Sequence, residues 1–231
     1  MTGWSDIISN SAMVYIDDLR LTEQLAISPA RFYRRMALFV QNALPLMSRP
    51  PELLEYLQSD RQDPSFADYD WTSTEESTTQ ATVLDTGLLN YDLCSVCIQT
   101  DDFQLTPYPD ATYDPATGNV TLPIQEQSGI KYQIDFYTDG EFAELTSTQM
   151  RLFGLAIAVV WDERFDRDWL ADHMKIKDAS FQTVNESNYI EKKSDRTERN
   201  RRAFNDELRK YEQDIAYSGT VPTNHRPKVL L

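Results

Sequence analysis

Residues 150–165, MRLFGLAIAVVWDERF, form a helical segment that is apolar almost all round from Leu152 to Trp161. A helix without a polar face has to lie at the centre of a packed structure. The rest of the chain must therefore be arranged around it. Thr146 or Ser147 caps its start, and Gln149 stands three residues after Thr146, the spacing of a capping box. Phe165, Trp169 and Leu170 continue the pattern before KIKDASFQTV breaks it. The segment reads as a hub for the helices that precede it.

Those helices occupy the first 58 residues. Trp4, Ile7, Ile8, Ala12, Tyr15, Ile16 and Leu19 recur at three- and four-residue spacing and predict one amphipathic helix over about residues 4–20. Ser28 followed by Pro29 suits an N-cap and a first helical position, where the missing N–H costs nothing. The helix that begins there carries Phe32, Met36, Phe39, Val40, Ala43 and Leu44 on its buried side, and Arg31, Arg34 and Arg35 near its start. It must stop before Pro45. A short third helix follows Pro50-Pro51, with Leu53, Leu54 and Leu57 facing inward.

Residues 59–80 lack periodicity and are rich in Asp, Glu, Ser and Thr, which reads as an acidic loop or linker. Phe66, Tyr69 and Trp71 within it either pin the loop to the body or await a partner. From Thr82 to about Leu145 the period changes to alternation. TVLDT, LCSVCIQT, NVTLP and IKYQIDFYT are β-branched and aromatic runs separated by turn residues, as in antiparallel strands. In the last run Ile130, Tyr132, Ile134 and Phe136 fall on one face, and Lys131, Gln133, Asp135 and Tyr137 on the other, predicting a half-buried strand. Asp114 to Asn119 supplies one hairpin turn and Thr138-Asp139-Gly140 another.

A last helix is predicted from about Ser187 to Tyr217, ending at Gly219. Phe204, Leu208, Tyr211 and Ile215 give its second half a docking face. The stretch from Glu191 to Arg202 has no apolar residue and carries six basic residues, Lys192, Lys193, Arg196, Arg199, Arg201 and Arg202, against three acidic ones. This basic segment stands out on a chain of net charge −15. One reading is a solvated face braced by pairs such as Asp195 with Arg199 and Glu198 with Arg202. The other is a helix that its own core cannot hold, whose positive side meets phosphates or an acidic protein surface. About three polar turns gain little from burial, so such a helix needs a neighbour, for which another copy of the chain is a candidate.

The charge balance repels nucleic acid and anionic membrane over most of the surface, so contact with DNA has to be local. The chain has no run of about 18 apolar residues and no basic leader before an apolar stretch, which predicts a cytosolic, unprocessed protein without membrane partners. Cys94 and Cys97 match a redox or half-zinc spacing, but they lie in a strand pattern, where positions three apart face opposite ways. A zinc site would need further soft ligands, and His173 and His225 are the chain's two histidines. The seven glycines are scattered and form no phosphate loop. With 37 acidic residues, pairs such as Asp101-Asp102 and Asp162-Glu163 arise by chance. The sequence therefore assigns no catalytic residue, no cofactor and no metal, and predicts a non-enzymatic protein.

Three stretches carry a resemblance: WSDIISNSAMVYIDDLRL followed by SPARFYRRMALFVQNALPLM, then LFGLAIAVVWDERF, then SNYIEKKSDRTERNRRAFNDELRKYEQDI with the tail after it. In layout they resemble the head-to-tail adaptor, or connector, proteins of tailed bacteriophages. The resemblance implies a virion structural protein of the neck, present in the host cytoplasm during assembly. It further implies a homo-oligomeric ring, commonly of twelve copies, docked to the portal protein on one side and to tail or neck proteins on the other, around a channel that passes DNA. The six basic residues from Lys192 to Arg202 would then dock on the portal or a neighbouring subunit. A rival reading from a different class is a glycan- or host-surface-binding module that uses Tyr108, Tyr113 and Tyr137 of the β lobe.

Together the elements predict a mainly α fold with an inserted β lobe (α+β): a helical bundle of four to five helices, a small antiparallel β insertion, a long C-terminal helix and an extended tail. The divisions are N-terminal helices over 1–58, an acidic loop over 59–80, the β lobe over 81–145, the central and charged helices over 146–218, and the tail over 219–231.

Overall fold

A computed structural model describes residues 1–16, 18–100, 104–175, 184–219 and 221 of the chain, with the backbone alone over 165–175 and 184–194. It divides into two compact units, each assembled from separate stretches of sequence. The first is built from Met1–Asp17, Leu38–Gln62 and Glu141–Leu231, and the second from Asp18–Ala37 and Asp63–Gly140.

The first unit is helical. A two-residue strand β1 (Thr2–Gly3) leads into α1 (Trp4–Ile7), a π-helical turn over Ile8–Ala12, and α2 (Met13–Ile16). The single helix expected over 4–20 is thus widened in its middle and cut short. The π turn places Ser11 against the central helix α6 (Ser147–Lys175), where its hydroxyl donates to the Met150 carbonyl at 2.8 Å. It also packs so closely on Gly154 that a Cβ there would meet Ser11 Oγ at 2.1 Å. A larger residue at 154 would displace the turn.

Against α6 pack α1, the π turn, α2, the 3-10 turn Leu44–Met47 that continues α4 (Pro29–Ala43), and α7 (Val184–Ser218), while α5 (Pro51–Ser59) packs on that 3-10 turn. Trp4 stacks on Phe142 at 5.1 Å, Phe142 meets Phe153 edge-on at 5.2 Å, and Phe39 packs on Trp161 at 4.8 Å. Phe142 comes from β9 (Glu141–Phe142), which pairs with β1 and closes the start of the chain over this core. Leu152, Phe153, Ala156, Ile157 and Trp161 are all buried, as an all-round apolar helix requires. Each such large apolar side chain contributes roughly 1.5–3 kcal/mol by leaving water. At the head of α6 the capping box forms, Gln149 Oε1 accepting from the Thr146 N–H at 2.8 Å and Thr146 Oγ1 accepting from the Gln149 N–H at 3.3 Å.

The second unit is a three-layer structure. Its centre is a four-stranded antiparallel sheet in the order β2 (Ser65–Thr72), β8 (Lys131–Thr138), β4 (Leu93–Gln99), β5 (Leu105–Pro107). On one face lies a three-stranded sheet, β3 (Thr82–Asp85), β7 (Asn119–Leu122), β6 (Thr112–Asp114). Between the sheets Leu84, Val96, Val120, Leu122, Tyr132, Ile134 and Phe136 form one apolar cluster. On the other face lie α3 (Leu19–Ile27) and the first turns of α4. There Ser95 Oγ accepts from the Ala30 N–H at 3.0 Å, and Tyr33 stacks on Tyr137 at 5.6 Å.

This arrangement overturns the mainly helical bundle with a small β insertion. The chain has nine strands in three antiparallel sheets among the described residues, and one of its two units is organised around β structure. Two physical reasons account for the difference. First, β2 forms within the segment read as an acidic loop. It pairs with β8 from Ser65↔Thr138 to Thr72↔Lys131, and Tyr69 and Trp71 pack against the cluster between the sheets. Its alternate aspartates, Asp68 and Asp70, lie on the exposed side of an edge strand and so masked the pattern. Second, α3 and the start of α4 cover the second face of the sheet instead of joining an N-terminal bundle. Asp18 caps α3 by accepting from the Arg20 N–H at 3.0 Å, which restarts the helix just after α2 ends.

The turn Asp114–Asn119 joins β6 and β7 as a hairpin, with Asp114 accepting from the Ala116 N–H and the Thr117 hydroxyl and Gly118 at φ +73. Thr138-Asp139-Gly140 turns the chain between sheets instead, because β8 and β9 have different partners.

Candidate functional site

The basic segment of α7 is laid along α6. Gln149 faces Tyr211, Arg151 faces Glu207 at 3.7 Å, and Asp162 faces Arg196 and Asn200, so the two helices run antiparallel. Positions 196, 200, 204, 207 and 211 of α7 form a stripe at four, four, three and four spacing that meets α6. Its lower part is apolar or aromatic, with Phe204 and Tyr211 buried. Its upper part is polar and still buried: Asp162 is 0% exposed, receives Arg196 Nη2 at 2.5 Å, and accepts from Asn200 Nδ2 at 2.9 Å. Asn200 Nδ2 also lies 3.4 Å from the Tyr15 carbonyl of α2.

The six basic residues therefore divide. Arg196 is bound to Asp162, Arg201 to Glu163 of α6, and Arg202 to Glu198 one turn back at 2.5 Å. Arg199 is exposed and forms no ion pair among the described residues. Lys192 and Lys193 lie on α7, but their side chains fall outside the described residues. Of the solvated-face reading the Glu198–Arg202 pair is present, whereas the expectation that the chain's own core cannot hold this stretch meets two arginines bound to α6. Arg196 and Arg201 bind α7 to its own central helix, and Arg199 is left outward.

The other residues singled out in the sequence are mostly taken up by packing. Asp162 and Glu163 are both engaged by arginines of α7. Cys94 and Cys97 are free thiols at opposite faces of β4. Burial, and after it the charge of Asp135, pushes the Cys94 thiol up to about 12 and the Cys97 thiol up to about 11, the reverse of a reactive cysteine. Tyr137 is fully buried. Tyr108 meets Tyr132 edge-on, and the Tyr113 hydroxyl donates to the Leu88 carbonyl at 2.7 Å. The three tyrosines of the glycan reading thus serve the unit's interior. Asp101, Asp102, His225 and the side chain of His173 lie outside the described residues. Among the described residues no three metal-capable side chains cluster, and no helix is long and apolar enough to cross a membrane.

A second concentration of polar groups lies in the β-rich unit, where α3 and α4 meet β8. Asp135 was expected on the open face of β8, yet it is 2% exposed. Its carboxylate accepts from the Ser28 hydroxyl at 3.4 Å and from Gln133 Nε2 at 3.3 Å. Burial raises its pKa, while the nearby Arg31 charge, the Ser28 bond and the Arg34 charge pull the other way. Ser28 is also the N-cap foreseen for α4, since its oxygen accepts from the Arg31 N–H at 3.4 Å. Beside this network is a cavity of about 490 Å³ lined in part by Gln24, Arg31, Arg35, Gln99 and Gln133. Arg31 Nη1 donates to Gln133 Oε1 at 3.0 Å and Arg35 Nη1 to Gln24 Oε1 at 2.9 Å. The sequence held one signal of this site, the three arginines placed at the positive end of a helix dipole.

No protein-family model matches this sequence, and no curated protein matches it either.

Proposed function

We propose that this chain is a virion structural protein, a head-to-tail adaptor of a tailed bacteriophage. In this reading it assembles as a homo-oligomeric ring and bridges the portal and the tail or neck proteins around the DNA channel. The resemblance of the three quoted stretches supports it, and the observation that carries it is the construction of the chain as two compact units, each with its own core. Two separately built units would give a bridging protein two surfaces that can each be fitted to a different partner. The acidic surface fits as well, since a wall of net negative charge does not retain DNA in transit. Within the basic segment, docking on an acidic portal or neighbouring-subunit surface falls to Arg199, with Lys192 and Lys193, while Arg196, Arg201 and Arg202 act within the chain.

The test is the native mass of the full-length chain, alone and mixed with the portal protein of the same virion. A closed ring, or a stable complex with portal that is weakened by Arg199→Glu, is the expected result. A strict monomer that ignores portal overturns the reading. DNA affinity measured on the same variant separates the partners, because loss of assembly with unchanged DNA binding assigns Arg199 to protein docking.

A further inference from the structure

Four consecutive residues of β4, Leu93, Cys94, Ser95 and Val96, line one cavity of about 220 Å³ in the β-rich unit. Successive strand residues turn their side chains to opposite faces, so a cavity that touches four in a row lies at the strand's edge. That edge is open because β5 stops early. The Tyr108 N–H donates to the Val96 carbonyl at 2.8 Å, so Val96 turns its main-chain groups away from β8 and toward β5, and by the same alternation so does Cys94. After Tyr108 the chain leaves the ladder, and Pro107 and Pro109 have no N–H to give. The Cys94 N–H and C=O therefore face the cavity with no partner among the described residues. Ile27 and Pro29 wall the cavity on the helical side, Ala111 and Tyr113 on the side of the second sheet, and none of its lining residues is charged. Residues 101–103 connect the other ends of β4 and β5, about 17 Å along the strand from Cys94.

We propose that this slot receives residues 228–231 of a second copy of the chain as a short added strand, one residue bonding the Cys94 N–H and C=O while an apolar side chain enters the cavity. The size of the cavity favours a side chain over a free compound, because pockets for whole small molecules begin at roughly 300 Å³. The segment after α7 has the matching chemistry. Pro222 and Pro227 keep it out of a helix, and Val229, Leu230 and Leu231 follow. It also carries Arg226 and Lys228 and no acidic residue, whereas Asp63–Gly140 holds fourteen acidic residues against one basic, Lys131. Opposite charge therefore draws the segment toward this unit. A single residue in register gives little affinity alone, so the contact needs the high effective concentration of an assembly. The inference accordingly rests on the homo-oligomer of the proposed function.

The experiment is hydrogen exchange at the Cys94 amide, read by mass spectrometry with fragmentation to single residues, on the full chain and on a chain ending at Gly219. In the assembled full chain this amide should exchange at least tenfold more slowly than after dilution to monomer. In the shortened chain it should exchange fast at both concentrations, while unchanged slow exchange at the buried Ile134 shows that the fold is kept. A synthetic peptide of residues 220–231 should restore protection of Cys94 in the shortened chain. The same peptide with Val229→Asp, Leu230→Asp and Leu231→Asp should not. Equal exchange at Cys94 in the two chains, no protection by the peptide, or protection that persists in the diluted monomer overturns the proposal. A ring whose Cys94 amide stays unprotected overturns this contact alone, whereas a chain that is monomeric at every concentration overturns it together with the adaptor reading.

Discussion

Asp162 in the helical unit and Asp135 in the β-rich unit are both buried, at 0% and 2% exposed, and the two units keep them in opposite ways. Asp162 is met by a full countercharge, Arg196, and by the Asn200 amide, both reaching across from a second helix. Asp135 is met at hydrogen-bonding distance by a hydroxyl and an amide, with Arg31 near but bonded to Gln133 instead. A buried ion pair is costly to break because one charge is left without its partner, whereas a carboxylate among neutral groups can take up a proton. The helical unit therefore uses its buried charge to fix the register of two long helices. The β-rich unit holds its own beside a cavity, with Arg31 near it but bonded to Gln133.

That contrast is open to test by substitution. The largest effect is expected from Arg196→Ala, which takes from the buried Asp162 the guanidinium bonded to it and should lower the unfolding free energy by about 3 kcal/mol in urea denaturation. Adding Asp162→Asn to it should recover much of the loss, and a double variant as unstable as the single one would show that packing, not charge, holds the seam. Next in size is Tyr211→Phe. It removes one hydrogen bond of the fully buried Gln149 amide and should cost about 1 kcal/mol by the same measurement.

Asp135→Asn should act in the other direction and more weakly, with a gain of under about 1 kcal/mol at pH 7. The raised pKa means that the unfolded chain ionises first as the pH climbs out of the ordinary carboxylate range. Protonation therefore favours the fold below that range, and the advantage is lost as the pH passes up through the folded-state value. The variant's gain over the parent should accordingly appear at neutral pH and vanish near pH 4, as thermal melts across that range would record. Smallest of all is Arg202→Ala, whose ion pair with Glu198 is exposed on both sides and should change stability by no more than about 0.5 kcal/mol.

Much of the local structure was legible in the residues. The apolar run from Leu152 to Trp161, the Thr146–Gln149 capping box, the Ser28-Pro29 helix start and the β4, β7 and β8 strands all rest on spacing within a few residues. Less legible was the segment 59–80, since the alternate aspartates of β2 give it the composition of a loop. Of the basic segment, the Glu198–Arg202 pair was readable as an i,i+4 contact, but the expected Asp195–Arg199 pair does not form among the described residues. The Arg196–Asp162 and Arg201–Glu163 pairs could not be read in advance, because their members are more than thirty positions apart.

By itself, then, the sequence determined the central and C-terminal helices, the start of α4 and the β4, β7 and β8 strands, though not β2, because capping, proline placement and side-chain period act over one or two turns of chain. Tertiary structure alone decided that α3 and the start of α4 cover a sheet, and that the polar turns of α7 are held by α6. It alone decided, too, that Asp135 lies inside. Each of these depends on which face of one element meets another far along the chain, and a residue's burial follows from that meeting rather than from its neighbours in sequence.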